Sequence, residues 1–233
     1  MSPAAEPQAF DAYRATYRQT VEASVGFSGV SYDYVLRSKA RLLGEVMAQA
    51  LGPDAAPRVL DVGCGVGVLH PLLAPLCGEL HGTDISAPCI DQARRDNPAA
   101  RYRAYDGVRL PYADDQFDMA LAVCVLHHVP PQDRTAFAAE MARVVRPGGL
   151  TCVIEHNPLN PLTRLSVMRC PFDADAVLLP RREAEALMSG AGVGAVRSRY
   201  FVLVPSLAPW ALSLERRLER APLGAQYLTV GRR

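Results

Sequence analysis

Lysine is almost missing from this chain: Lys39 stands alone, and arginine supplies the other basic side chains. The 25 basic and 24 acidic residues leave a net charge of +1, so bulk electrostatics nominate neither nucleic acid nor an acidic surface as a partner. No C-x-x-C spacing occurs among Cys64, Cys77, Cys89, Cys124, Cys152 and Cys170. That removes the common metal and dithiol frameworks, so no metal site is expected and the cysteines read as small buried hydrophobes in a reducing compartment. Long apolar runs are lacking too. The most apolar late stretch, Tyr200 to Leu214, is fifteen residues and is broken by Pro205 and Pro209, too short to cross a bilayer. Met1 to Phe10 is rich in Ala and Pro and lacks the apolar core of a secretory leader, which leads to a cytoplasmic expectation.

What is present is enough chain for one domain, 233 residues, read as a monomer or homodimer. Residues 1 to about 8 read as disordered, and Asp11 to Leu51 as helical, with Ala12, Tyr13, Thr16 and Tyr17 on one face. A Gly/Ser turn at 27–32 interrupts these helices, and the longer helix runs from about Tyr34 to Gly52-Pro53. Strands are then predicted near 58–62, 79–83, 101–105, 117–125 and 150–155, with helices near 68–77, 87–96 and 132–145 between them. Pro75 should shorten or kink the first of these helices. A further helix at 181–191 and two strands at 196–204 and 225–231 follow. Alternation of this kind builds a parallel sheet with helices on both faces and a ligand site at the carboxyl ends of the strands.

The densest signal is Val59-Leu60-Asp61-Val62-Gly63-Cys64-Gly65-Val66-Gly67. A buried strand ends in an acid and then in glycines at every second position, so a ligand can lie against bare backbone. The spacing is G-x-G-x-G, one residue tighter than the dinucleotide fingerprint G-x-G-x-x-G. Three further elements follow in order: Leu80-His81-Gly82-Thr83-Asp84-Ile85-Ser86, Ala104-Tyr105-Asp106-Gly107, and Phe117 to Val129, with Arg146-Pro147-Gly148-Gly149-Leu150 beyond the next helix.

In these four elements, over Arg58 to Asn157, the chain resembles the class I S-adenosylmethionine (SAM)-dependent methyltransferases, in particular their small-molecule group. The resemblance implies an α/β, Rossmann-like doubly wound sheet of seven strands, mostly parallel with an antiparallel last strand. It divides the single domain into an N-terminal helical lid (1–57), a SAM-binding core (58–157), a substrate cap (158–180) and a C-terminal helix with two strands (181–233). The cofactor set it implies is Asp61, Gly63, Cys64, Gly65, Gly67, Asp84, Ile85, Asp106, Gly107 and Cys124. Asp84 would accept from the ribose hydroxyls, since a carboxylate takes two hydrogen bonds at once, with Ile85 against the adenine ring. Asp106 would accept from the adenine amino group, and Asp61 with the Gly63–Gly65 backbone would meet the methionine end.

Methyl transfer from a sulfonium needs positioning and exclusion of water, and an acceptor that loses a proton needs a base titrating near neutrality. His127 and His128, at the end of the fourth strand, are the catalytic candidates, and only one of them is expected to face the site, with His127 favoured. Related small-molecule methyltransferases use a histidine here. Glu155 and His156 form a second polar cluster. Phe27, Tyr32, Tyr34, Arg169 and Phe172 complete the expected substrate contacts, while His70 and His81 read as structural.

The expected activity is therefore methyl transfer to oxygen or carbon of a small, largely apolar acceptor, aromatic or prenyl-like. An N-methyltransferase and a SAM-binding protein without chemistry stay open as alternatives. A reductase is disfavoured by the glycine spacing and by the absence of a Tyr-x-x-x-Lys pair around Lys39. A base-methylating enzyme is disfavoured because Val123-Cys124-Val125-Leu126 stands where an Asp/Asn-Pro-Pro-aromatic motif would be, and no basic aromatic groove is evident.

Overall fold

A computed structural model describes residues 16–233; the expectations for residues 1–8 and for Asp11 to Tyr13 lie outside the described residues. Two helices open the chain, α1 (Tyr17–Val25) and α2 (Tyr32–Leu51), joined by a 3-10 turn at Gly26–Ser28. Helix α2 starts where the Ser31 hydroxyl accepts from the Tyr34 backbone N–H at 3.2 Å, two residues earlier than expected. The core then runs β1 (Arg58–Val62), α3 (His70–Leu73), β2 (Glu79–Asp84), α4 (Ala87–Asp96), β3 (Arg101–Ala104), β4 (Phe117–Val123), α5 (Arg134–Val144) and β5 (Val145–His156). The remainder is α6 (Pro161–Arg169), α7 (Arg181–Gly190), β6 (Gly194–Phe201), α8 (Pro209–Leu218) and β7 (Gln226–Arg232).

All seven strands form one sheet in the order β3-β2-β1-β4-β5-β7-β6. Neighbours from β3 to β5 are parallel, and β7 is inserted antiparallel between β5 and β6. This is the expected Rossmann-like sheet. Alternation along each strand divides the core into two layers. Val59, Met119, Leu121, Cys152 and Ile154 pack on the side of α2, against Leu43, Val46 and Met47. Leu60, Val62, Ala120, Ala122 and Val153 pack on the other side, against Met141 of α5 and Met188 of α7.

One expectation holds, the shortening of a helix by Pro75, and two helices were not expected, α6 and α8. Helix α3 ends at Leu73 and tightens into a 3-10 turn at Ala74–Leu76, where Pro75 cannot donate to an α-helical ladder. The cap region holds a helix, α6, whose start is fixed by the Asn160 side chain accepting from Thr163 N–H. The connection between β6 and β7 holds α8 and is longer than the strands predicted at 196–204 and 225–231 leave. Strand β6 stops at Phe201 because Val202 takes a left-handed φ of 58°, and Pro209 then sits at the start of α8. This long connection is held down by the Tyr34 hydroxyl, which donates to Val204 C=O at 2.6 Å, and by Glu215, which pairs with Arg41 and accepts from Leu203 N–H.

The turn after β1 places Gly67 at φ +71°, with room for a Cβ denied by the Tyr102 hydroxyl at 2.9 Å and the Asn97 amide at 3.0 Å. Gly67→Ala is expected to destabilise the fold by about 1–3 kcal/mol. At roughly 2–4 °C per kcal/mol for a domain of this size, calorimetry should record a Tm lower by several degrees.

Candidate active site

At the carboxyl ends of β1, β2, β4 and β5, under α1, α2 and α6, lies a cavity of about 1090 Å³. Its first half is built by the glycine turn. Gly63 and Gly65 adopt φ of 77° and 54°, and Gly65 N–H donates to Asp84 Oδ2 at 2.8 Å. The other Asp84 oxygen accepts from Ser86 N–H at 2.9 Å, and burial raises the Asp84 pKa. A Cβ on Gly63 would lie 2.6 Å from the Val125 side chain, whereas one on Gly65 would meet nothing within 4 Å and project into the cavity. Asp61 is buried. Its Oδ2 pairs with His70 Nε2 at 3.1 Å, and His70 Nδ1 lies 2.5 Å from the Tyr102 hydroxyl. The Asp61 Oδ1 atom, equally buried, has no hydrogen-bond partner among the described residues. Asp106 stands exposed at the rim, its Oδ1 accepting from Val108 and Arg109 N–H, which lowers its pKa.

The second half begins where β4 ends. The ladder continues one residue further, Cys124 N–H donating to Ile154 C=O at 2.7 Å, and Cys124 then reverses the chain at φ 58°. Glu155 is fully buried on β5. Its Oε1 accepts from Val125 and Leu126 N–H at 2.9 and 2.7 Å, and its Oε2 lies 2.5 Å from His127 Nδ1. Asp173 closes the cluster, with Oδ1 at 3.2 Å from His128 Nε2 and 3.7 Å from His127 Nε2. It arrives there because Val177 N–H donates to His127 C=O, while the buried Arg134 donates to the carbonyls of Leu126, Val129 and Val177. Burial disfavours charge on His127, but Glu155 and Asp173 outweigh it and raise its pKa to about 10. His128 is shifted the other way, downward, chiefly by burial, and Asp173 is held well below the usual carboxylate range by both imidazoles, despite its burial.

Nine of the ten residues in the expected cofactor set line this cavity; Gly67 does not, because it packs against Tyr102 and Asn97. His127 and His128 both line it, so the expectation that only one faces the site does not hold: their ring centroids lie 4.1 Å apart with planes tilted by 48°, and both converge on Asp173. Tyr32, His156 and Phe172 also line it. Four expected substrate residues are elsewhere. Glu155 lies behind His127, the Tyr34 hydroxyl is spent on Val204, and Arg169 covers the ring of the exposed Phe27.

Sequence reasoning missed Lys39, Tyr17, Asp173 and Gln226, all on the cavity wall. Lys39 is buried, and its Nζ donates to Cys124 Sγ at 3.3 Å; Gln226 Nε2 approaches the same sulfur at 3.5 Å. A signal existed for Lys39, a lone lysine on the otherwise apolar helix face shared with Val35 and Leu36. Tyr17 stacks on Phe172 with centroids 5.1 Å apart, joining α1 to the turn that carries Asp173.

Comparison with known proteins bears on this site. Residues 60–153 match a family model described as a methyltransferase domain. The chain is 32% identical over 155 residues to methyltransferase GfsG of Streptomyces halstedii, covering 64% of this chain and 55% of that protein. It is 36% identical over 118 residues to a 2-methyl-6-phytyl-1,4-hydroquinone methyltransferase of Synechocystis sp., covering 48% of this chain and 36% of that one. The matches thus span about half or less of these relatives' own length. The fold is similar to that of a SAM-dependent methyltransferase of Thermotoga maritima, described as a possible histamine N-methyltransferase, with TM-score 0.65 and 18% identity over 97% of this chain and 98% of that one.

The cluster around Cys124 makes a prediction of its own. Burial alone would raise this thiol; Lys39 and His156 outweigh it and bring the pKa down to about 7, while burial pushes Cys77 and Cys170 up to about 12. Iodoacetamide labelling read by peptide mass spectrometry should therefore rise at Cys124 with a midpoint near pH 7. Lys39→Met should move that midpoint upward, because burial is then less opposed. A midpoint at the ordinary thiol value of about 8.5 in both proteins would refute the assignment.

Proposed function

We propose, from the premise that this chain belongs to the class I SAM-dependent methyltransferases, that it transfers a methyl group to oxygen or carbon of a small, largely apolar acceptor. The observation that carries this reading is the joining of two unlike halves in one cavity. One half is a glycine turn with acids at the strand ends; the other is a chamber with an apolar wall and two polar groups, His127, His128 and Asp173 in one and Lys39, Cys124 and Gln226 in the other. Its volume, about 1090 Å³, is at the upper end of the roughly 300–1,000 Å³ usual for ligand pockets, which suits two ligands held together.

The residues present fit SAM. The unpartnered, buried Asp61 Oδ1 is an acceptor awaiting a donor, as the ammonium of the methionine end would be. Gly65 leaves open the space that any side chain would fill. Asp84 keeps lone pairs beyond its two backbone bonds for ribose hydroxyls. Asp106 and Gly107 at the rim, with Ile85, would border the adenine. SAM, when bound, supplies an electrophilic methyl group on a sulfonium.

The protein's own part is positioning and dryness. Tyr17, Val21, Tyr32, Leu36 and Phe172 give the acceptor an apolar wall, and α1 and α6 cover it from solvent. His127, His128 and Asp173 form the polar end toward which an acceptor's reacting hydroxyl would turn. The Synechocystis relative, named for a phytyl hydroquinone, supports an acceptor that is an aromatic ring with an apolar tail.

Three measurements test the reading. Asp61→Asn should weaken SAM binding by at least roughly tenfold, since a charge-assisted hydrogen bond contributes about 1.5–3 kcal/mol. Because its pKa is raised to about 10, His127 is not the base titrating near neutrality that was expected. As it is the group that orients the acceptor, His127→Ala should leave SAM affinity nearly intact while lowering turnover by roughly a hundredfold. Radiolabelled methyl transfer to prenylated hydroquinones and phenols, set against sugars and amino acids, identifies the acceptor class. Labelling of the polar compounds alone would overturn it.

A further inference from the structure

We propose that His127, His128 and Asp173 bind one divalent transition-metal ion, of the zinc, iron(II), cobalt(II) or manganese class, with open coordination positions facing the cavity. The sequence showed no metal spacing because these donors come from separate parts of the chain. One ligand atom from each residue lies within 4.8 Å of the others. The pairwise distances are closer to a bound geometry than that bound implies. Asp173 Oδ1 is 3.2 Å from His128 Nε2 and 3.7 Å from His127 Nε2. An ion with bonds of about 2.0–2.2 Å holds adjacent donors roughly 3–3.5 Å apart. The third pair, between the two imidazoles, lies within 4.8 Å.

The supporting shell is built for this use. Glu155 takes the Nδ1 side of His127, which leaves Nε2 directed at Asp173, and two backbone N–H groups fix Glu155 in turn. A carboxylate behind a histidine is the arrangement that orients metal-binding imidazoles. Asp173 is held in a 3-10 turn whose Phe172 stacks on Tyr17. Burial leaves Glu155 and Asp173 as two acids beside two imidazoles in a low-dielectric site, an arrangement that favours a cation. A proton on His127 answers the same demand, so ion and proton compete for the position. Two imidazoles and one carboxylate select a transition ion over the hard, oxygen-seeking magnesium or calcium.

This deepens the methyltransferase reading and rests on it in one respect only: an acceptor's oxygen would take an open position on the ion and be held in its ionised form. The site itself stands or falls independently of that role.

The test uses the full chain stripped with a chelator and then titrated with Zn²⁺ and Co²⁺ by calorimetry and absorption. One equivalent should bind, and cobalt should show ligand-field bands without the intense thiolate charge-transfer band that cysteine ligation would add. Asp173→Asn and His128→Ala should each lose at least roughly a hundredfold in affinity, and Glu155→Gln about 10–100-fold. Each variant should keep the wild-type SAM affinity, which also reports that it is folded. No stoichiometric binding by the wild type, a thiolate band, or equal affinity in folded Asp173→Asn and His128→Ala would overturn the site. If the variants do not fold, the wild-type cobalt spectrum decides. Methyl transfer that continues undiminished after stripping would overturn the acceptor-binding role alone and leave the proposed activity standing.

Discussion

The buried carboxylate of Glu155 is the contact on which the catalytic half of this protein depends. It sits on β5, beside the end of β4, and gathers three donors: two backbone N–H groups from the turn that leaves β4, and the Nδ1 side of His127. Without those partners a carboxylate with no solvent exposure would cost several kcal/mol, so the turn has little freedom to take another path. The reversal at Cys124 follows from it. A left-handed non-glycine residue is strained, and here the surrounding hydrogen bonds over-determine it. Burial opposes the charge of Glu155, but the neighbouring His127 holds its pKa below the ordinary carboxylate value.

A second buried ion extends the same logic outward. Arg134 is 2% exposed, yet its guanidinium is satisfied by three carbonyls and by Glu183. Two of those carbonyls belong to the turn after β4 and one to Val177. One side chain thus pins the segment that carries Asp173 against the segment that carries the histidines. The cofactor half is organised differently, by backbone. Gly63 N–H donates to Thr83 C=O and Gly65 N–H to Asp84, while the buried Asp61 Oδ1 has no hydrogen-bond partner among the described residues. One half is therefore shaped by missing side chains and the other by buried charge, and the cavity runs between them.

The sheet was legible in the sequence because its signals are local. Short apolar runs ending in Asp61 and Asp84, and the helix predicted at 87–96, needed no knowledge of distant partners, and α4 occupies Ala87–Asp96 as expected. Misses came where a polar or proline-rich stretch hid a helix. Helix α6 buries only Thr163 and Val167 and turns Leu162, Leu165 and Met168 outward, so its pattern runs opposite to that of an ordinary surface helix. Helix α8 was concealed by Pro205 and Pro209, the second of which begins it rather than breaking it.

The sequence by itself determined the alternation of strands and helices from β1 to β5, the glycine turn with its flanking acids, and the concentration of histidine after β4, since each is written in consecutive residues. Only the tertiary structure decided what those histidines face. Asp173 lies 45 residues beyond His128 and reaches it through a chain path set by Arg134 and Val177, and Lys39 meets Cys124 across 85 residues. No periodicity or spacing records such pairings, because they are fixed by the burial of charge that must find a partner, and the partner is chosen by how the sheet and its helices close.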